Sequence, residues 1–282
     1  RETEALRVAI ERDYPEDEAW LGVAPESLAT VPPEAFKVIA AYARAQRLRL
    51  HTHAASSAGD VAACVAEHGR TPVALLAELG LVDKRFTAVD ARHLTEEEIR
   101  LLGTARAAAC VTPGAPAPVE GLLAAGAGVA AGMDAHAPAS PLFLARELPV
   151  ADAAAAWRAA TTGGARSLGA TSGALEVGRP ADFFTVNLGD PALAGVEARG
   201  LPAVLLAALD RRSIRDVWVA DEPGNKISTL ARRGAVSLCM EVNVTEAFLK
   251  KDDVEIAFAI DTEDGQRLFT VLSSWTNDPI VL

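Results

Sequence analysis

Polar and apolar positions change rhythm repeatedly along this chain. Stretches with apolar residues three and four apart, such as "PPEAFKVIAAYARAQR" and "DVAACVAEHG", alternate with short runs such as "LRLHTHA", "RFTAVDA" and "AAACVTPG". The first pattern lays one apolar stripe along a helix. The second is too apolar to face water and suits strands covered on both faces. Between residues 20 and 170 about four strand–helix units follow one another, which predicts a parallel sheet wrapped by helices.

Local signals set the boundaries. Pro32 and Pro33 open a helix, Gly69 and Gly80 each close one, and Thr95 with Glu98 forms a capping box ahead of "TEEEIRLLG". The run Glu96-Glu97-Glu98 is expected on a solvated first turn. "ADAAAAWRAATTGGARSLG" reads as the clearest helix. After Gly169 the rhythm changes: "GALEVGRPADFFTVNL" and "SIRDVWVAD" predict strands, and "EPGNK" a turn-forming linker. From "VSLCMEVNVT" onward the alternation is strict, with Asp264-Gly265 as a hairpin turn. A complete eight-stranded α/β barrel takes about 250 residues. The fold class expected is therefore α/β, a partial TIM-type (β/α)8 barrel followed by a small all-β, sandwich-like segment. Its domains are 1–170, a partial barrel; 171–221, a small β-domain; and 222–282, a β-sandwich-like end.

Bulk composition narrows the function. The 282 residues carry a net charge of −11, which argues against a nucleic-acid or anionic-membrane binder. No apolar run reaches the ~18 residues of a membrane span. Cys64, Cys110 and Cys239 lie far apart with no CxxC spacing and read as reduced thiols, which places the chain in the cytoplasm. The chain starts at Arg1 with no signal-peptide pattern, and that start reads as a cut end. Candidate chemistry begins at "LRLHTHAASSAGD", where His51 and His53, two apart on a strand, face the same way.

The segments "VAPESLATV", "HTHAAS", "AEHGRTPVALLAELGLVDKRFTAVDARHLTEEEIRLLG" and "GVAAGMDAH", in that order, resemble the amidohydrolase superfamily. The likeness is to its formimidoylglutamate deiminase branch and close hydrolase relatives. "GALEVGRPADFFTVNLGDPALAG" and "IRDVWVAD" are similar to the family's return to its small β-domain. The resemblance implies a (β/α)8 barrel with zinc or iron at its C-terminal mouth. The metal is held by a His-x-His of the first strand, a later histidine and an aspartate of the last strand. It activates water while a carboxylate and a histidine move protons and the C–N bond of a small amide or formimino substrate breaks. The later histidine maps onto His53 and the aspartate onto Asp134.

Departures from the family pattern fall on the chemistry itself. Ser56 stands where the family has its proton-shuttling glutamate, and Asp90 in "DARHL" where it has a mechanistic histidine. Glu26 and Ala29 replace the histidine and arginine that help to hold substrate. "CVTPGAPAP" lacks the acidic or amide groups of its region, and the first-strand His-x-His is not among the 282 residues. A catalytic zinc needs three protein ligands and an open position, so metal is expected to be weakly held or absent and catalysis impaired. His51 and His136 are expected to be structural, and His93 to pack near the capping box.

The tail "GAVSLCMEVNVTEAFLKKDDVEIAFAIDTEDGQRLFTVLSS" is similar to the C-terminal carbohydrate-binding domain of O-antigen ABC exporter ATPases. That resemblance implies a glycan or protein partner. The expected protein is thus a divergent, impaired deiminase-like amidohydrolase, with two alternatives. One is a non-catalytic binding protein that uses its tail. The other is a working hydrolase in an oligomer whose partner chain supplies the absent strands.

Overall fold

The structure, a computed structural model, describes residues 2–15, 19–112, 116–132, 146, 148–176, 179–180, 182–193, 195–209, 213–220, 227–229, 270–272 and 279–281. Asp134, His136, Cys239, the "EPGNK" linker and nearly all of the tail with its glycan-binding resemblance lie outside them. The chain divides into two compact units, residues 1–132 with 166–170, and residues 133–165 with 171–282.

In the first unit, helix α1 (Glu2–Asp13) precedes strand β1 (Gly22–Val23). Then come α2 (Pro33–Gln46), β2 (Arg49–Ala54), α3 (Ala58–His68), α4 (Pro72–Glu78) and β3 (Phe86–Asp90). After these follow α5 (Glu96–Ala105), β4 (Ala108–Val111), α6 (Val119–Ala124) and β5 (Gly128–Ala131). The strands form one five-stranded sheet in the order β1-β2-β3-β4-β5, and every pairing is parallel. Sequential order with a helix in each crossover is the arrangement of a (β/α) barrel wall, as the hydrophobic rhythm predicts. Phe36, Val73, Leu76, Phe86, Leu102 and Leu122 are its largest fully buried apolar side chains.

Helix boundaries follow the local signals, with one correction to burial. Helix α3 closes at Gly69 in the left-handed region (φ 66), and α5 opens on the Thr95–Glu98 capping box. Helix α5 runs through Gly103. A Cβ at 103 would stand 2.1 Å from the Ala125 carbonyl oxygen, so the glycine serves close packing. Glu98 is fully buried, not solvated. Its Oε2 accepts the Thr95 N–H at 2.9 Å, and its Oε1 accepts the Val73 N–H of α4 at 2.8 Å. A carboxylate that caps two helices is drawn inside by the second one.

In the second unit, α7 (Ala153–Arg158) leads through a π turn at Ala159–Gly163 into α8 (Gly164–Leu168), whose residues from Arg166 on belong to the first unit. The sequence predicts one regular helix here. The hydroxyls of Thr161 and Thr162 donate to the carbonyls of Trp157 and Arg158, at 2.8 and 3.3 Å, and so compete with the helical backbone donors. Helix α9 (Leu201–Ala208) packs on α7, and its Pro202 carbonyl accepts the buried Trp157 Nε1–H at 3.0 Å. Strands β6 (Phe183–Val186), β7 (Ile214–Ala220) and β8 (Ile227–Thr229) form an antiparallel sheet. A short antiparallel pair, β9 (Thr270–Leu272) with β10 (Pro279–Val281), is the part of the tail described.

Candidate active site

Three strand ends of the first unit bring the candidate residues together. In β2 the side chains of Leu50, Thr52 and Ala54 are buried, which turns Arg49, His51 and His53 to the other face of the strand. Parallel pairing sets Ala54 beside Asp90, and Val89 beside Cys110, so the C-terminal ends of β2, β3 and β4 lie side by side. Barrel chemistry belongs at such ends.

Asp90 is the centre of the cluster. Its Oδ2 meets His53 Nδ1 at 3.2 Å, and its Oδ1 accepts the Thr112 hydroxyl at 2.6 Å. Ser56 also hydrogen-bonds its carboxylate. Arg92 Nη2 donates to Thr112 Oγ1 at 2.6 Å and lies 3.7 Å from Asp90 Oδ1. Burial raises the Asp90 pKa, but Thr112, Ser56, His53 and Arg92 together outweigh it and hold the carboxyl below its ordinary value. The neighbouring Cys110 thiol is pushed up to about 11, by burial first and by the Asp90 charge second.

Backbone strain sits at the same place. Ala55, Asp90 and Ala91 are non-glycine residues in the left-handed region, with φ of 56, 68 and 47. The Ala55 carbonyl accepts the N–H groups of Arg92 (3.2 Å) and His93 (2.9 Å), which ties the turn after β3 to the end of β2. Such conformations persist where the surroundings over-determine them.

The other candidates separate from this centre. His51 Nε2 lies 2.9 Å from the Ser167 carbonyl oxygen and 3.4 Å from its hydroxyl, a structural role as expected. His93 is exposed and meets the cluster only through its backbone. The side chains of Glu26 and Ala29 are exposed. What reaches β2 from Glu26 is its carbonyl oxygen, which accepts the His53 N–H at 2.8 Å and the Thr52 hydroxyl at 3.0 Å. Thr112 and Arg92 were not among the sequence candidates. Their signal is positional: each directly follows or nearly follows a strand that ends beside Asp90.

The family model for the amidohydrolase family matches residues 2–236. The chain belongs to that family. A 5'-deoxyadenosine deaminase of Methanoregula boonei is 33% identical over 214 residues, 68% of this chain and 48% of the relative. A formimidoylglutamate deiminase of Pseudomonas aeruginosa is 31% identical over 225 residues, 71% and 49%. Among solved structures, an adenosine deaminase of Xanthomonas campestris with bound zinc is similar at a TM-score of 0.70 and 29% identity, covering 79% of this chain and 55% of that one. The chain spans about half the length of the curated amidohydrolase relatives it matches.

Family membership implies a metal, and the described residues are a test of it. His53 shows half of a ligand's setting: Asp90 takes Nδ1, and Nε2 has no hydrogen-bond partner among the described residues, on a side chain 37% exposed. Asp90 itself is committed to four partners. Among the described residues no group of three or more His, Cys, Asp or Glu side chains could hold a metal ion. The described donor set does not fit the three-ligand requirement of a catalytic zinc.

Proposed function

We propose that this chain is a divergent amidohydrolase of the deaminase kind, with a site shaped for a small molecule bearing an amino, amide or formimino C–N bond and with impaired turnover. The state of Asp90 carries the reading. A proton-transfer group works best with a pKa near the operating pH. Asp90 stands where the resemblance puts a mechanistic histidine, and its surroundings hold it below the ordinary aspartate range. It is therefore ionised at neutral pH, with its lone pairs taken up by Thr112, Ser56 and His53. Ser56 offers only a hydroxyl where a carboxylate is expected, and that hydroxyl is engaged with Asp90. What these residues do is fix the His53 ring and keep the strand ends polar. The free thiols of Cys64 and Cys110 support a cytoplasmic setting.

The test is ammonia release from formimidoylglutamate and from 5'-deoxyadenosine, with zinc or iron added to the purified chain. No release above buffer is expected, with far less than one equivalent of metal retained after dialysis. Turnover that disappears on Asp90→Asn, or stoichiometric metal that disappears on His53→Ala, overturns the reading.

A further inference from the structure

The other end of β2 has the opposite character. Arg49 opens the strand, about 13 Å from His53 at the usual rise per residue. Arg85 directly precedes β3, and its carbonyl oxygen accepts the Leu50 N–H at 3.1 Å. Arg166 lies in α8, on the stretch 166–170 that belongs to the first unit. Arg166 and Arg85 each lie within electrostatic reach of the Arg49 guanidinium.

The Arg49 side chain is half-buried and held in place. It passes over Gly169 (φ +82), where a Cβ would come 2.9 Å from Nε and 3.2 Å from Cγ. Its Nη1 donates to the Lys84 carbonyl at 3.1 Å, its one hydrogen bond among the described residues. A guanidinium has five N–H donors in a rigid fork, so most of this one is unused. Asp83 is the carboxylate within reach, and Arg85 engages it through Nη2 at 3.1 Å and its own N–H at 2.7 Å. Neither Arg49 nor Arg166 forms an ion pair among the described residues. Burial first, then Arg166 and Arg85, lower the Arg49 pKa from its ordinary value, with Asp83 opposing them.

Gathering cations around a half-buried guanidinium is unfavourable unless an anion joins them. In a chain of net charge −11 it is also not a by-product of a basic surface. Two unpaired positive charges and an open fork match a doubly charged tetrahedral oxyanion. We propose that Arg49, Arg166 and Arg85 form a binding site for a phosphate group, at the end of the sheet where the strands begin. Free phosphate and a phosphate monoester on a small molecule present the same dianion to the fork.

Calorimetric titration of the whole 282-residue chain with inorganic phosphate, at constant ionic strength, is the test. Saturable binding is expected, weakened about tenfold or more by Arg49→Gln and by Arg166→Gln. The exposed control Arg70→Gln, which breaks a surface pair with Glu78, should leave it unchanged. Parallel titrations with adenosine 5'-monophosphate and with adenosine separate the sources: a monophosphate that binds more tightly than inorganic phosphate indicates a carried phosphate, and one that binds no more tightly than inorganic phosphate indicates the free ion. Melting curves guard against a folding defect. In phosphate-free buffer Arg49→Gln should melt no lower than the parent, since it relieves repulsion, and phosphate should raise only the parent. The proposal fails if phosphate acts as chloride does, if both variants bind like the parent, or if adenosine alone binds as well as its monophosphate.

Discussion

Asp90 and Glu98 are both buried carboxylates, one ending β3 and the other in the first turn of α5, yet they are held by different kinds of partner. Glu98 takes backbone donors from two helix starts, Val73 N–H and Thr95 N–H, together with the Thr95 hydroxyl at 3.0 Å. Asp90 takes side chains from neighbouring strand ends, on a backbone bent into the left-handed region. Backbone donors remain whatever residue carries them, so Glu98 is a fastening for the α4–α5 corner. The Asp90 partners are set by residue identity at the mouth of the sheet, where a family can exchange chemistry one position at a time. Burial and full pairing are common to both. The source of the donors tells them apart.

The largest effect should come from the fastening. Glu98→Ala strands the Val73 donor in the core and removes the carboxylate half of the α5 capping box, leaving the Thr95 hydroxyl on the residue-98 N–H, for a loss of about 2–4 kcal/mol. Glu98→Gln keeps an acceptor and should lose less than half of that. Urea unfolding measures both. Parent-like stability of Glu98→Ala would remove the structural half of the comparison.

Asp90→Asn should cost less, about 1–3 kcal/mol, because the amide keeps one acceptor and tolerates the left-handed conformation. Its pH dependence separates it from Glu98→Ala. The folded Asp90 pKa lies below the unfolded value, near 3.9. Its stabilisation is therefore complete above that value and is lost as pH falls through the lower, folded one. The gap between parent and Asp90→Asn should stay flat from about pH 7 to 5 and close below about pH 4. A gap that widens on acidification would mean that Asp90 is not held as an anion.

These two carboxylates also mark how far the sequence could be read. Strands β2 to β5 and the helices between them were legible because each signal is local: an apolar run, a capping pair, a glycine at a helix end. The capping box at Thr95 and Glu98 was legible for the same reason. The burial of Glu98 was not, since the donor that draws it inside sits on Val73 of another helix. The π turn after α7 was hidden in an alanine-rich stretch with no change of rhythm. At the site, the family resemblance pointed to Ser56, His53 and Asp90, and the structure brings all three together. It did not point to Thr112 or Arg92, because they matter only once β4 is laid parallel to β3 with Val89 opposite Cys110. Glu26 meets β2 through its carbonyl oxygen and not its carboxylate, a contact that residue type does not signal.

The smallest effect concerns the strain that only the Asp90 side carries. Thr95, which begins the Glu98 corner, has an ordinary extended φ of −76, whereas Ala91 next to Asp90 sits at φ 47. An L-residue in that region costs about 1–2 kcal/mol, and glycine avoids most of it while adding entropy to the unfolded chain. Ala91→Gly should therefore raise stability by about 0.5–1 kcal/mol. It should also loosen the turn that the Ala55 carbonyl braces, so amide exchange at His93 should quicken although the protein as a whole is more stable. Urea unfolding together with amide exchange reads both signs in one variant. A destabilised Ala91→Gly would show that the turn is not strained at all, and the asymmetry between the two carboxylates would then rest on their donors alone.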